Sequence, residues 1–289
     1  MTPTQHKSAR RFARIALAVV AGLATFAGLL AALDTRRPPA PITPPSPTAP
    51  DPVATLRASA PAPGPPAPPA GAPLAPEITT VAGDDAFRLH VFTVPLDGAR
   101  LRVLDLHMTS DLAGARALTR ASLVVNAGFF DKANQPEGLV ISEGSMVSPR
   151  SDTLGGGVVA IAGSRAALFP AEGFAPQPGV DFAVQARPRL VVDGKSVIAR
   201  DDGREADRTA LCLRDDGRTL EVVIARGDGP GARPTLALLA DMLVSRGCQG
   251  ALNLDGGPST GAAWREGDGV KDLPPRGPIR QAIAVWVGE

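Results

Sequence analysis

The sequence predicts an α+β, or mixed α/β, fold: one strand-rich globular domain with a mixed sheet and few helices, behind an N-terminal anchor and a linker. Three observations predict it. Ten short apolar or alternating runs recur between residues 87 and 287, most of them bounded by turn residues. One segment around residue 240 combines helical spacing with a start and a stop signal. A charge-free run and a proline-dense stretch precede all of these.

The elements follow in chain order. Residues 1–14 form a basic tail carrying Lys7, Arg10, Arg11 and Arg14. Ile15 to Leu33 is a 19-residue run without charge, long enough to span a bilayer. With the basic residues ahead of it, the N-terminus is expected in the cytoplasm and the rest of the chain outside the inner membrane, in the periplasm. The rival reading is a cleaved signal and a secreted product, but Leu30-Ala31-Ala32-Leu33-Asp34 makes a poor cleavage site. Residues 34–76 hold 16 of the 30 prolines and read as a disordered, partly polyproline spacer. At ~3.1 Å per residue such a spacer reaches up to about 130 Å.

The domain proper is read as residues 77–289, enough for one large core. Its expected strands are Phe87–Val94, Leu101–Leu106, Leu123–Asn126, Leu139–Ser142, Val158–Ile161, Arg189–Val192, Thr209–Leu213, Leu220–Ala225, Ala251–Leu254 and Ala282–Val287. Asp216-Gly217 between two of them signals a hairpin. Thr235 is placed to cap a helix running from Leu236 to Arg246, with Gly247 at its stop. Leu236, Leu239, Ala240 and Leu243 give that helix one apolar face. A weaker helix is expected from Leu112 to Thr119. Strand, helix and strand around Thr235 resemble a βαβ crossover, which puts Asp255 at the C-terminal end of a strand, where ligands commonly bind.

Composition narrows the function. A formal net charge of +1 argues against a nucleic-acid partner. The lack of Tyr and an aromatic content of 4% disfavour a broad carbohydrate-stacking platform. Cys212 and Cys248 are compatible with a disulfide in an oxidising compartment or with two buried thiols. No Cys or His spacing suggests zinc, and no cofactor is expected. Asp131, Glu137 and Asp255 offer oxygen ligands for a divalent ion without forming a compact ligand pattern.

The segment richest in chemistry is Ala251-Leu252-Asn253-Leu254-Asp255-Gly256-Gly257-Pro258-Ser259-Thr260-Gly261. A carboxylate at the end of a buried strand is costly unless it is paired or has work to do. Two glycines allow close backbone approach, and hydroxyls with free N–H groups can grip an oxyanion. Gly257-Pro258-Ser259-Thr260-Gly261 also fits the nucleophile elbow of serine hydrolases, whose histidine lies downstream. His6, His90 and His107 all precede Ser259, so the usual triad order is excluded. A second cluster, Asn126-Ala127-Gly128-Phe129-Phe130-Asp131, follows another apolar strand and leads to Glu137. There Asn126 can serve a sugar hydroxyl or a backbone carbonyl. Arg208 enters a strand where a guanidinium suits phosphate or carboxylate.

Taken in order, Asn126 to Asp131, Pro136-x-Gly138-Leu139, Gln185 to Gly194, Arg208-Thr209, Gly227, the Thr235 helix and Asn253 to Thr260 make the chain resemble the phosphodiester glycosidase family. The likeness covers roughly residues 80–289. It implies hydrolysis of a sugar-1-phosphodiester at the anomeric C–O bond, releasing sugar and a phosphomonoester. Because phosphate is a good leaving group, a strong general acid matters less than in ordinary glycosidases. Under this likeness Asp255 is the catalytic carboxylate; Glu137, at a position the family pattern leaves open, is a candidate for a second one. Arg208, Gly256, Gly257, Ser259 and Thr260 hold phosphate, and Asn126 and Asp131 hold sugar. Pro258, Gly261 and Gln185-Ala186-Arg187-Pro188 depart from the family pattern, so the relatives' substrate preference does not carry over to this chain. The implied partners are a glycan or sugar-phosphate of the cell envelope and the inner membrane. The rival class is a non-catalytic envelope protein that binds polysaccharide or a partner through the same cleft.

Overall fold

Fully buried strands with different faces in different clusters explain how the chain packs. In the computed structural model, which describes residues 70–81, 87–227 and 233–288, three antiparallel sheets enclose one central core. All these residues fall within a compact unit spanning Pro63–Glu289. The expected anchor at 15–33 and most of the expected linker lie outside the described residues. Among the described residues no helix is long and apolar enough to cross a membrane.

The largest sheet runs Glu77–Val81, Phe87–Pro95, Thr219–Gly227, Arg208–Arg214, Gly250–Asn253, Arg189–Val192 and Lys195–Ser196, in that spatial order. Successive residues of its central strands serve two cores. Leu211, Leu213, Leu220, Val222, Ile224 and Leu252 face the central cluster. Ala210, Cys212, Val223, Ala225 and Ala251 face the helix Leu236–Ser245, through its buried Leu239, Ala240 and Leu243. Thr235 caps that helix as expected, accepting from the Leu238 N–H at 3.2 Å. Cys212 and Cys248 on this side form a disulfide, which resolves the open question about the two thiols.

The second sheet, ordered Arg165–Pro170, Gly157–Ala162, Phe182–Ala186, Val140–Ser142 and Ser145–Ser148, turns Val159, Phe182 and Val184 inward. The third, ordered Gly269–Leu273, Ala262–Glu266, Leu123–Asn126, Ile279–Trp286 and Arg100–Thr109, contributes Leu123, Val125, Ile283 and Val285. Its outer face carries Val124 and Ala284 against the helix Leu112–Thr119. At about 1.5–3 kcal/mol for each fully buried large apolar side chain, this shared core dominates stability.

One expectation changes. Among the described residues every paired strand is antiparallel, so the mixed sheet gives way to several antiparallel ones. Thr219–Gly227 and Gly250–Asn253 do run parallel across the helix, but Arg208–Arg214 lies between them and pairs with both. The crossover is therefore split. Residues ahead of position 77 are also bonded to the domain. Gly71, Ala72 and Leu74 donate their N–H groups to Arg120, Val287 and Arg265 carbonyls at 2.9–3.0 Å. Arg265 Nη1 donates back to the Gly71 carbonyl at 3.1 Å.

Candidate active site

The strand Gly250–Asn253 sits between Arg208–Arg214 and Arg189–Val192, deep in the large sheet. Its exit is where the chemistry gathers. Leu254 N–H donates to the Thr209 carbonyl at 2.8 Å, and Asp255 N–H to the Ala127 carbonyl at 3.1 Å. Those two bonds tie the loop to Arg208–Arg214 in its own sheet and to the end of Leu123–Asn126 in the third sheet, with Asp255 partly exposed.

Burial pushes the Asp255 carboxyl above the usual Asp range. Hydrogen bonds from Ser259 and from the Gly256 N–H, the latter at 2.9 Å, pull the other way. Arg208 packs beside Gly256, and a methyl group added at Gly256 would stand 2.9 Å from the Asp207 carbonyl, so glycine is what permits that carbonyl's approach. Arg208 Nη2 donates to the Arg204 carbonyl at 2.6 Å, while its buried Nε has no partner among the described residues. Burial lowers the affinity of this guanidinium for its proton, and Asp202 partly offsets that. Two more buried polar atoms at the same exit lack partners, Thr260 Oγ1 and Asn253 Oδ1. A guanidinium N–H, a hydroxyl and an amide oxygen with nothing to bond are the groups a polar ligand would satisfy.

Asn126 has a different occupation. It is fully buried. Its Nδ2 donates to the Asp255 carbonyl at 2.7 Å, and its Oδ1 accepts from Thr209 Oγ1 at 2.7 Å and the Gly261 N–H at 3.2 Å. The amide therefore binds three separate segments together beneath Asp255, using the backbone-carbonyl option rather than a sugar hydroxyl. The N–H groups of Gly256 and Gly257 are also occupied, by Asp255 Oδ1 and by the Asp207 carbonyl at 2.7 Å. Ser259 and Thr260 N–H groups bond back to Gly256 and Gly257 carbonyls at 3.2 Å. In place of the expected N–H cradle, Gly256 permits close backbone approach and Gly257 supplies a left-handed turn.

The other two expected residues lie on a short hairpin, Phe129–Phe130 paired with Pro136–Glu137. Asp131 is exposed at its tip, where Oδ1 accepts from Ala133 and Gln135 N–H groups at 2.8 Å and shapes the turn. Glu137 is half-buried opposite Phe129. The Arg187 guanidinium lies 5.8 Å from the Phe129 ring, and the Arg187 carbonyl accepts from Asn253 Nδ2 at 2.8 Å. That chain of contacts attaches the hairpin to the Asp255 strand. Gln185 holds the wall behind it, with four hydrogen bonds to Leu139, Ser151 and Gly155.

Residues not singled out from the sequence complete the region. Asp207 is fully buried, accepting from Arg233 Nε at 3.1 Å and Gly227 N–H at 3.2 Å and paired with Arg276. Its carbonyl holds Gly257. Among the described residues, the group spaced to hold a metal is Cys212, Glu221 and Cys248, and its two sulfurs are bonded to each other. Asp131, Glu137 and Asp255 form no such group there.

A model of the family described as phosphodiester glycosidase matches residues 119–286. No curated protein matches the sequence. A hypothetical protein from Synechocystis superposes with a TM-score of 0.55 at 19% identity, covering 73% of this chain and 61% of that one. The chain thus spans about three fifths of that protein's length. The catalytic domain of zebrafish N-acetylglucosamine-1-phosphodiester alpha-N-acetylglucosaminidase, auto-inhibited by its pro-peptide, gives 0.56 at 18% identity, covering 74% and 82%. At these identities the two structures establish a shared fold.

Proposed function

This chain belongs to the phosphodiester glycosidase family, and we propose that it hydrolyses a sugar-1-phosphodiester at the anomeric C–O bond. The observation that carries this reading is a half-buried carboxylate, Asp255, at a strand exit, one residue before Gly256, beside which packs Arg208, whose buried Nε has no hydrogen-bond partner among the described residues. Water adds its oxygen to the anomeric carbon as the C–O bond to phosphate breaks. The products are free sugar and a phosphomonoester.

Asp255 acts on this reaction as base or nucleophile, with Ser259 orienting its carboxylate. Arg208 with the Ser259 and Thr260 hydroxyls takes the phosphate, whose charge grows as it leaves. Gly256 and Gly257 let the substrate backbone come close. Glu137 serves as the second carboxylate across the hairpin wall. Asn126 holds Asp255 in place through its carbonyl, and Asp131 fixes the hairpin that borders the sugar.

The Cys212–Cys248 disulfide supports an extracytoplasmic location, because such bonds persist in oxidising compartments. With the apolar run at 15–33, it favours a membrane-held enzyme acting on envelope glycans. The test is turnover of sugar-1-phosphate diesters by the intact chain in ¹⁸O-water, with Asp255→Asn beside it. Label in the released sugar, lost in the variant, is expected. Label in phosphate would refute C–O cleavage, and turnover unaffected by Asp255→Asn would refute the assignment of the carboxylate.

A further inference from the structure

We propose that Asn253 is a positioning residue for Asp255: it fixes the peptide group ahead of that carboxylate as Asn126 fixes the one behind it. The proposal rests on the reading of Asp255 given above and deepens it by naming what holds the carboxylate in place. Asp255 stands between two peptide groups, and each is bonded at both ends. In the first, the Leu254 carbonyl accepts from Asn253 Nδ2 at 2.8 Å, and the Asp255 N–H donates to the Ala127 carbonyl at 3.1 Å. In the second, the Asp255 carbonyl accepts from Asn126 Nδ2 at 2.7 Å, and the Gly256 N–H donates to Asp255 Oδ1 at 2.9 Å. Holding both planes sets the two soft backbone torsions of Asp255, and with them the direction in which its side chain leaves the chain.

The side chain has to be an amide to do this. Asn253 Nδ2 carries two N–H donors, and the second goes to the Arg187 carbonyl at 2.8 Å. The Asn253 backbone N–H donates to the next carbonyl along, that of Pro188, at 3.0 Å. Pro188 has no N–H of its own, so this stretch offers two carbonyls in succession and Asn253 answers both. Serine has a single donor and an ionised aspartate has none, so neither could hold Arg187 and Leu254 together. The Arg187 guanidinium lies against Phe129, two residues after the Ala127 carbonyl that accepts from Asp255. One amide thus joins the hairpin wall to the backbone of the carboxylate.

Its acceptor argues that stability is not the whole reason for it. Asn253 is 4% exposed, and its Oδ1 has no partner among the described residues. Turning the amide over would set that oxygen against two carbonyls, so the orientation is fixed. Burying an unsatisfied acceptor is unfavourable, and a residue kept only for stability would satisfy it or do without it. Asn126, by contrast, uses both ends of its amide. Asn253 leaves one end unbonded at the place where its other end defines the Asp255 backbone. The upward shift of the Asp255 carboxyl has burial as its first cause, opposed by Ser259 and the Gly256 N–H, and none of these is an ion. Arg208, beside Gly256, is the charged group packed nearby. A carboxylate released from its fixed position would gain water and titrate lower.

The experiment compares the intact wild type with Asn253→Ala and with Leu239→Ala, all at a temperature where circular dichroism shows them folded. Leu239→Ala weakens the fold from the helix packed on the large sheet and serves as the destabilised control. The readouts are kcat and KM for a sugar-1-phosphodiester and the pH dependence of kcat/KM. In Asn253→Ala, kcat should fall about tenfold or more while KM changes by less than about twofold. The acid limb of kcat/KM, which reports the free enzyme's base, should move to lower pH. Leu239→Ala should keep both kcat and the limb. A severalfold rise in KM at unchanged kcat would make the amide a substrate ligand and overturn the positioning role. A limb unmoved in Asn253→Ala, or moved equally in Leu239→Ala, would overturn it too. If no diester is turned over, the glycosidase reading fails. Titration of the Asp255 carboxyl by ¹³C NMR, which needs no substrate, then still decides whether Asn253 positions it.

Discussion

Replacing Asn126 by alanine separates a positioning amide from a substrate-binding one. The side chain is fully buried and makes three hydrogen bonds, to the Asp255 carbonyl, the Thr209 hydroxyl and the Gly261 N–H. At about 1 kcal/mol net for each bond, Asn126→Ala should cost about 3 kcal/mol, and more if the three stranded groups find no water. For a domain of this size that corresponds to a fall in Tm of roughly 6–12 °C. Urea unfolding of wild type and variant, read as a shift in midpoint at constant slope, measures the loss. Because the lost bond to its carbonyl frees Asp255 to shift, kcat should fall in parallel, and KM should change less. The variant would refute this reasoning by keeping its stability to within about 1 kcal/mol while raising KM severalfold. That pattern would mean the amide faces substrate after all.

Three further outcomes follow from other parts of the fold. Asp255 carries a carboxyl whose folded-state pKa is raised, so the folded protein holds that proton more tightly than the unfolded chain. Its contribution to stability is full below the ordinary Asp value of 3.8 and is lost as pH rises through the folded value. Asp255→Asn should therefore raise Tm at pH 7 and lose that advantage in acid, and an unchanged Tm difference across the range would refute it. Cys212 and Cys248 are 36 residues apart, a loop whose closure is worth about 4 kcal/mol in the chain-entropy model. Replacing both by alanine should lower the unfolding free energy by up to that amount, measured without reductant. Deleting residues 1–76 rather than 1–69 removes the three N–H bonds that strap Gly71, Ala72 and Leu74 to the domain. The shorter chain should be less stable by about 3 kcal/mol, and equal urea midpoints for the two deletions would refute the strap.

How much could be read in advance depended on whether the signal was local. The strand Arg208–Arg214 and its partner Thr219–Gly227 were legible because each face supplies an apolar core and the turn residues between them are diagnostic. Phe182–Ala186 was not, since all five residues are buried and Gln185 in its midst looks like a break in an apolar pattern. Glu77–Val81 and Gly269–Leu273 escaped for the opposite reason. They are exposed edge strands, held by backbone pairing with no apolar face to announce them. The mixed sheet failed because a strand–helix–strand unit predicts parallel direction and says nothing about a third strand inserted between the two. In the site, Asp255 stood out because strand, acid and glycines are contiguous. The occupation of Asn126 could not, for its partners are 83, 129 and 135 residues away. Arg226, Arg233 and Arg276 meet Asp207 from three different segments, and none is notable in its own sequence context.

Asp207 connects these observations. Its carbonyl fixes Gly257, and through it the turn that follows Asp255, while its side chain gathers the arginines on the other side of that turn. A carboxylate with no exposed surface is tolerated only when charged donors surround it. The arginines are thus part of what allows Asp207 to be there, and Asp207 is what keeps them converged against their mutual repulsion. Removing the acid would take away the common partner of these arginines, which should displace Gly257 and the turn it begins. Removing Arg276, the most exposed of the three, leaves Asp207 with two partners and the turn with its backbone bond. Arg276→Gln should therefore leave the backbone turn, and the carboxylate two residues before Gly257, undisturbed.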